Sequence, residues 1–294
     1  MSSEHMYSRS SQHYAEGVDK VTVVHERGRG IAWRIWPGAH VLLEWLESHK
    51  LEWLSNPCHC IEIGAGVGLV GVVCAGLGCS RVTLTDLHEE LFALERSVES
   101  NCEAVKERLQ VRAMSFGNHG EINDVVNSVS DPHKLVVVGS ELIYWETLFV
   151  PIAETLRELL VNHGGVAYIG YRKRVYKTEK RFFTKILKQY GLEAQVMGQW
   201  MAVEEDGSSQ RTDGQVLYTK AAGEGEEEWN TRVYKIFTKS QRIISDSVGE
   251  DGCEAKKATK KAPELVTESP PSEKKKDAKK KPKIVHKEKK GRVR

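Results

Sequence analysis

Apolar positions along the chain fall into short runs that alternate with segments of helical spacing. Five runs read as strands: CHCIEI, RVTLTD, QVRAM, KLVVVGSE and VAYIGY. Of these, KLVVVGSE is apolar and long enough to be buried on both faces of a sheet. Several segments between the five runs repeat apolar residues every three or four positions, and TLFVPIAETLRELLVNHGG also ends on a glycine typical of a helix C-terminus. Strands that alternate with helices predict an α/β fold, with a doubly wound, Rossmann-like, mostly parallel sheet and helices on both faces.

Two further apolar runs, LEAQVMGQWM and TRVYKIFTK, complete a sheet of seven strands. The segments between them, EEDGSSQRTDGQ and AAGEGEEE, are rich in turn-forming residues and contain no long helical pattern. We therefore expect the last two strands to pair antiparallel as a C-terminal hairpin.

The two ends of the chain differ from this central pattern. Residues 1–18 are polar and predicted to be disordered. The next segment, VTVVHERGRGIAWRIW, predicts two short strands around an Arg-Gly-Arg-Gly turn, followed by a helix that begins at Pro37. From about residue 240 the chain is rich in Lys, Pro and Glu, a composition typical of disorder. The predicted folded domain is therefore residues 19–240, with a Lys-rich tail at residues 241–294.

The net charge of +2 divides unevenly along the chain. Residues 253–294 carry 16 Lys and Arg against 6 Asp and Glu, whereas residues 1–252 carry 27 against 35. Such a basic tail predicts a nucleic-acid or acidic partner bound through counterion release. A nuclear-localisation signal at KKKDAKKKPK and an inert or self-methylated tail are the alternatives. With no apolar run of about 18 residues and no signal-peptide core, we expect no membrane association and a cytoplasmic location, with the nucleus as an alternative.

The six cysteines predict reduced thiols. Cys58-His59-Cys60 has two metal-ligating residue types, but no second pair follows at zinc spacing. Free cysteine is also among the most frequently buried residue types. We therefore expect neither a disulfide framework nor a metal site.

A glycine-rich loop, IEIGAGVGLVG, follows the first strand of the sheet. Its glycines are Gly64, Gly66 and Gly68, whereas a dinucleotide fingerprint requires glycine at the position of Leu69. Glu62 lies just upstream, and a carboxylate there favours a cationic ligand such as S-adenosyl-L-methionine over a pyrophosphate. A plain strand–helix turn is the structural alternative.

Asp86 ends the second strand, at the same edge of the predicted sheet as the glycine loop. A carboxylate in this position can accept hydrogen bonds from ribose hydroxyls. Both S-adenosyl-L-methionine and NAD contain ribose, so this residue leaves the two cofactors open.

Five segments taken in order resemble the seven-β-strand protein-lysine methyltransferases, and more narrowly their small cytosolic "methyltransferase family 16" group. They are IWPGAHVLLEWL, IEIGAGVGLVGVVCAGLG, VTLTDL, VVVGSELIYWETLFVPIAETL and YRKRVYKTEKRFF. The resemblance spans about residues 20–240, and it implies S-adenosyl-L-methionine as cofactor and a protein lysine as methyl acceptor.

The resemblance also implies roles for individual residues. Trp36 is expected near the methionine end of the cofactor, Phe116 and Ser140 near the adenine, and Asp86 on the ribose. Phe116 stands where family members often carry tryptophan. The candidate cofactor-binding residues are thus Trp36, Glu62, Gly64, Ala65, Gly66, Gly68, Asp86, Phe116 and Ser140.

The candidate catalytic residues are Glu141 and Tyr144, which follow the fourth strand. The family usually has Asp-x-x-Tyr here, so the acid of this chain is one methylene longer. Methyl transfer requires a neutral amine, and free lysine has a pKa of about 10.4. We expect Glu141 to orient the lysine and Tyr144 to form a wall of its channel. An acid at a helix N-terminus beside a core aromatic residue is the structural alternative.

Two other classes of function remain open from the sequence. An enzyme acting on RNA, DNA or a small molecule is one, although SELIYW lacks the prolines that base-methylating enzymes usually present after this strand. An inactive fold used as a binding module is the other, since Glu141 departs from the usual Asp.

Overall fold

The structure is a computed structural model, and it describes residues 4–26, 28–54, 57–128, 135–203, 217–220 and 230–241. The predicted tail lies outside the described residues, apart from residue 241. Within the described part of the chain, no helix is both long and apolar enough to cross a membrane. Its five cysteines are free thiols, and four of them are buried.

Among the residues that the structure describes, the main sheet has eight strands. In chain order they are β3 (His59–Ile63), β4 (Arg81–Asp86), β5 (Leu109–Ala113), β6 (Leu135–Ser140), β7 (Val166–Arg172), β8 (Leu192–Val203), β9 (Leu217–Lys220) and β10 (Thr231–Thr238). Their spatial order is β5-β4-β3-β6-β7-β10-β8-β9. The first five are parallel, and β10 pairs antiparallel with both β7 and β8. The predicted fold and hairpin are thus confirmed, and β9 adds a short strand beyond the seven predicted.

Helices cover both faces of this sheet. They are α1 (Pro37–Ser48), α2 (Lys50–Trp53), α3 (Leu69–Gly76), α4 (Leu91–Glu99), α5 (Glu103–Lys106), α6 (His119–Asn127), α7 (Phe149–His163), α8 (Tyr176–Arg181) and α9 (Leu187–Gln189). Short 3₁₀ turns occupy His88–Glu90 and Glu146–Leu148, and a π-helical turn, Phe182–Ile186, joins α8 to α9. Neighbouring β6 residues pack into opposite cores, Val136 toward the α1 and α3 side and Val137 toward the α6 and α7 side. This alternation is why the strand is apolar throughout.

The N-terminal segment forms a separate two-stranded sheet, contrary to the predicted disorder of residues 1–18. Strand β1 (Glu4–Arg9) pairs antiparallel with β2 (Val21–Glu26). Arg9 makes two hydrogen bonds of 2.8 and 2.9 Å to the carboxylate of Glu47 in α1. The polar composition of this segment predicted disorder incorrectly, because the contacts that stabilise β1 come from residues distant in sequence.

The prediction of a second strand between the Arg-Gly-Arg-Gly turn and α1 is wrong. Residues 31–34 form bends and turns, and the carbonyl of Trp33 accepts a hydrogen bond of 2.8 Å from the N–H of Glu26. The Trp33 ring is buried beneath the guanidinium of Arg29, whose central carbon lies 3.8 Å from the ring centroid. The segment therefore folds back over the end of β2.

The segment between β4 and β5 contains a 3₁₀ turn followed by two separate helices, α4 and α5. At the break, Asn101 accepts from the N–H of Thr22 at 2.8 Å and donates to its carbonyl at 2.7 Å. Ser97 likewise accepts from the N–H of Val24 at 3.1 Å. These side chains satisfy the backbone of β2 on the side that β1 does not cover.

Candidate active site

A cleft of about 780 Å³ opens at the carboxyl ends of β3, β4 and β6, the usual ligand position in such sheets. Its volume falls within the range of about 300–1,000 Å³ typical of ligand pockets. All of the predicted site residues except Gly68 line it. A second cavity of about 520 Å³, near Gly164 and Tyr190, is lined by none of them.

The glycine loop forms the floor of the cleft. Gly64 and Gly66 have φ angles of 59° and 58°, which residues with a side chain adopt only at a cost. A Cβ atom at Gly64 would lie 2.7 Å from the side chain of Leu142, and one at Gly66 would lie 2.7 Å from the carbonyl oxygen of Ala32. The loop therefore requires glycine for both conformation and space.

Gly68 has a different role from the one predicted. It begins α3 with a φ of 77°, and a Cβ there would meet Leu84 and Leu94 in the core. Its alternate spacing with Gly64 and Gly66 suggested a shared ligand, but the third glycine turns the chain into the helix and packs away from the cleft.

Asp86 holds the glycine loop in place. Its Oδ2 atom accepts from the N–H of Gly66 at 2.6 Å, and Oδ1 accepts from the N–H of Leu87 at 2.8 Å. Burial raises the pKa of this carboxyl, against the effect of the two N–H donors. Each oxygen has a second acceptor position, so Asp86 can support the loop and still accept from two hydroxyls.

Glu62 does not provide the exposed negative charge that the sequence suggested. It is 2% exposed, and its Oε2 atom accepts from the N–H of Gly71 in α3 at 2.7 Å. Burial raises the pKa of Glu62 to about 8. Its carboxyl is therefore largely protonated at neutral pH, and its hydrogen bond supports the start of α3.

The opposite wall of the cleft begins at Trp36, the residue before α1. Its Nε1 atom donates to the carbonyl of Ile31 at 3.0 Å, and the guanidinium carbon of Arg34 lies 4.7 Å from the ring centroid. Across the floor, the Phe116 ring would lie 3.0 Å from a Cβ at Gly64. Aromatic rings therefore stand on two sides of the glycine loop.

Glu141 lies directly after β6 with a positive φ of 57°, an uncommon conformation for a residue with a side chain. Its side chain is buried, and its Oε1 atom accepts from the N–H of Gly38 in α1 at 2.6 Å. Its Oε2 atom accepts from the guanidinium of Arg174. Burial raises the pKa of Glu141, while Arg174 and Gly38 oppose this effect.

Arg174 is a site residue that the sequence interpretation missed. Its guanidinium carbon lies 5.7 Å from the ring centroid of Tyr144 and 6.0 Å from that of Trp36. The signal was its place in YRKRVYKTEKR, the charged segment that follows β7 at the same sheet edge. Which of its basic side chains would turn into the cleft could not be told from spacing.

Comparison with known proteins identifies the family to which the chain belongs. A family model described as lysine methyltransferase matches residues 17–189, more than half of the chain. The chain belongs to the lysine methyltransferase family. This confirms the resemblance found in the sequence motifs, and the activity is the transfer of a methyl group to a protein lysine side chain.

Two mouse relatives illustrate the similarity. Protein N-lysine methyltransferase METTL21A is 32% identical over 165 residues, which cover 56% of this chain and 71% of that protein. EEF1A lysine methyltransferase 3 is 30% identical over 161 residues, which cover 55% of this chain and 64% of that protein. This chain thus spans just under two thirds of the second relative.

Solved structures with a similar arrangement are more distant in sequence. A SAM-dependent methyltransferase from Agrobacterium tumefaciens is 15% identical with a TM-score of 0.45, over 79% of this chain and 70% of that one. The glycopeptide N-methyltransferase MtfA complexed with sinefungin is 14% identical with a TM-score of 0.35, over 72% and 74%.

The residues of this lysine methyltransferase fit an adenosine-type cofactor. Asp86 retains acceptor positions for hydroxyls, the loop offers close backbone approach at Gly64 and Gly66, and Phe116 offers an aromatic face. Among the described residues, no group of three His, Cys, Asp or Glu side chains is arranged to hold a metal ion. The ionisable acids and arginines that line the cleft are Glu62, Asp86, Glu90, Glu141, Arg34 and Arg174.

Proposed function

We propose that the chain binds S-adenosyl-L-methionine in the cleft and that the acceptor lysine enters between Trp36, Glu141 and Tyr144. The observation that carries this proposal is the placement of two acids in one cleft, Asp86 at the end of β4 and Glu141 just after β6. The first acid faces the glycine loop, and the second lies beside two aromatic rings and a cation.

Four residues would hold the cofactor. Asp86 would accept from the ribose hydroxyls, Gly64 and Gly66 would allow the backbone to approach it closely, and Phe116 would pack against the adenine. Ser140, the last residue of β6, lines the same side of the cleft. When bound, the cofactor supplies a methyl group activated by a sulfonium.

The other half of the cleft prepares the amine. An aromatic, partly desolvated channel favours the neutral form of a lysine. Burial raises the pKa of Tyr144, so its hydroxyl stays protonated at neutral pH and can either donate to the amine or accept from it. Glu141 is held rigidly by Gly38 and directs the amine, and most of the catalytic effect is positioning.

The direct test is incubation of the purified protein with methyl-labelled cofactor and cell extract. Label should appear in protein bands and map to lysine by mass spectrometry. Gly64→Arg, which places a long side chain where Leu142 already blocks a Cβ, is the matched inactive control. EEF1A belongs in the panel of purified candidates because one relative is named for it. Absence of lysine label from every protein, with the fold intact, contradicts the proposal.

Two alternatives give different results in the same assay. RNase-sensitive label would indicate a nucleic-acid substrate. A binding module would leave extract unlabelled, and calorimetry with S-adenosylhomocysteine separates an inactive protein that still binds cofactor from one that does not.

We further propose that the Lys-rich tail, residues 241–294, binds an acidic partner or nucleic acid and that the protein is cytoplasmic, with a nuclear fraction. The support is the net charge of +10 over residues 253–294. Removing residues 251–294 should abolish salt-dependent binding to RNA and change the nuclear fraction of a fluorescent fusion. Equal binding and equal distribution with and without these residues would rule this out.

A further inference from the structure

The lysine end of the cleft already contains a cation supplied by the chain itself. The Arg174 guanidinium donates to Oε2 of Glu141 and lies within 6.0 Å of the ring centroids of Trp36 and Tyr144. A carboxylate with two aromatic rings at this distance is the environment that attracts an ammonium group. Arg174 thus occupies the position in the cleft best suited to a substrate cation.

Arg174 is held in this position by few bonds. Oε1 of Glu141 accepts from Gly38 instead, so the guanidinium does not form the two parallel bonds that make arginine–carboxylate pairs strong. The second guanidinium nitrogen, Nη1, lies 3.4 Å from the carbonyl of Arg172. The Arg174 side chain is also 32% exposed. An arginine that makes one hydrogen bond to a carboxylate and is partly exposed is replaced by another cation more readily than an arginine in a buried bidentate pair.

The backbone of Arg174, by contrast, is fixed. Its N–H donates to Oε2 of Glu179 at 2.9 Å, and the same oxygen accepts from the hydroxyl of Tyr171 at 2.5 Å. Glu179 is 1% exposed. Release of the guanidinium therefore requires rotation of the Arg174 side chain toward solvent, while the loop after β7 stays in place.

Glu141 needs a positive partner whether or not substrate is bound. It is a buried carboxylate, and an unpaired charge in such a place is strongly unfavourable. Exchange of a guanidinium for an ammonium group preserves this pairing while the lysine side chain enters, before its amine loses a proton. If the Arg174 guanidinium leaves only as a substrate ammonium group enters, Glu141 keeps a positive partner.

We propose that Arg174 is a displaceable occupant of the lysine position, which competes with the substrate and leaves as the lysine side chain enters. This inference rests on the proposed function, because it assumes that the acceptor lysine binds beside Glu141. It assigns Arg174 a role in specificity, since a side chain must bind this position better than Arg174 does.

Binding of n-butylammonium, which reproduces the end of a lysine side chain, tests the proposal directly. Calorimetry is done with the full chain saturated with S-adenosylhomocysteine. Arg174→Ala and Arg174→Met should bind n-butylammonium at least about tenfold more tightly than the natural chain, because one competing cation is gone. Glu141→Gln added to Arg174→Met should remove the gain.

Arg181→Met is the matched control. Arg181 belongs to the same charged segment and pairs with Glu146 at 2.7 Å, but it is 56% exposed and does not line the cleft. Its substitution removes the same charge and should leave n-butylammonium binding unchanged. An equal gain in this variant would show a general charge effect and overturn the proposal.

Guanidinium chloride at millimolar concentration gives a second test, in which n-butylammonium binding is expected to weaken rather than strengthen. In Arg174→Ala it should refill the vacated position and weaken n-butylammonium binding, with equal urea as control. If Arg174 instead only supports the fold, guanidinium should strengthen binding or leave it unchanged, and the variants should bind no more tightly. Either result, with circular dichroism showing an intact fold, overturns the inference. Failure of the natural chain to bind S-adenosylhomocysteine would defeat the proposed function instead.

Discussion

Asp86 and Glu141 stand at the ends of parallel strands in the same cleft, but their carboxylates are satisfied in different ways. Both oxygens of Asp86 accept backbone N–H groups, from Gly66 and Leu87. Glu141 accepts one N–H from Gly38, which is 103 positions away, and one bond from the side chain of Arg174. Backbone donors are fixed by the fold, whereas a side-chain donor can be replaced. One end of the cleft is therefore permanently formed, and the other includes a partner that can be exchanged.

Substituting Asp86 and Glu141 by alanine, one at a time, should give the largest effects and distinguish the roles of the two acids. Asp86→Ala removes the two proposed hydrogen bonds from the ribose hydroxyls to this charged group, worth about 1.5–3 kcal/mol each. We expect cofactor affinity to fall by at least about 100-fold, measured by calorimetry with S-adenosylhomocysteine. Glu141→Ala should abolish lysine labelling yet bind the same ligand normally. If both variants lose cofactor binding equally, the Asp86 and Glu141 ends of the cleft do not have separate functions.

A third acid, Glu62, differs from both because its pKa is raised to about 8 by burial. The folded chain then binds a proton more tightly than the unfolded chain, so stability is greatest below the unfolded pKa and falls as pH rises through about 8. Glu62→Gln keeps an acceptor for Gly71, and above about pH 8 it should be more stable than the natural chain by about 5 kcal/mol, because the natural residue must be charged there.

Urea unfolding across about pH 5–9 measures this effect, and the Gln variant should show a flatter profile. Its affinity for S-adenosylhomocysteine should stay close to that of the natural chain. A large loss of affinity would restore the idea that the Glu62 charge attracts the cofactor.

Gly66→Ala tests whether the permanently formed end depends on the loop conformation. A left-handed backbone costs about 1–2 kcal/mol with a side chain, and the new Cβ would lie 2.7 Å from the Ala32 carbonyl. We expect about a tenfold loss of cofactor affinity. Gly164→Ala is the matched control, because it has a φ of 63° and no atom within 4 Å of its Cβ. It should lower the free energy of unfolding without changing affinity.

Tyr144→Phe has the smallest expected effect. It removes a hydroxyl and keeps the aromatic wall, so transfer should fall by the value of one hydrogen bond, about 0.5–1.5 kcal/mol. Initial rates of lysine labelling measure this, with cofactor affinity unchanged. An unchanged rate would mean that the ring alone matters at this position.

The central strands β3, β6 and β7 were predicted well because nearly all of their residues are buried on both faces of the sheet. The helix α6 was missed because it is short, although Asn118 accepts from the N–H of Glu121 at 3.3 Å and marks its start. Cap signals of this kind are weak without a long apolar stripe behind them.

The site was predicted by position better than by role. Asp86, Glu141 and Tyr144 line the cleft because strand ends meet at one sheet edge. The role of Glu62 depended on its burial, and that of Arg174 on the direction of one side chain. Burial and direction are set by tertiary packing, which spacing along the chain does not contain.

The two-stranded sheet at the N-terminus has a practical consequence for handling the protein. β2 has β1 as its neighbour in that sheet, and its Val21, Val23 and Val24 side chains are buried. Trimming the first nine residues would leave a valine-rich strand with unpaired backbone groups along one edge. Such an edge recruits other chains and promotes aggregation. Solubility on purification should therefore depend on an intact N-terminus, and an affinity tag is better separated from it by a spacer.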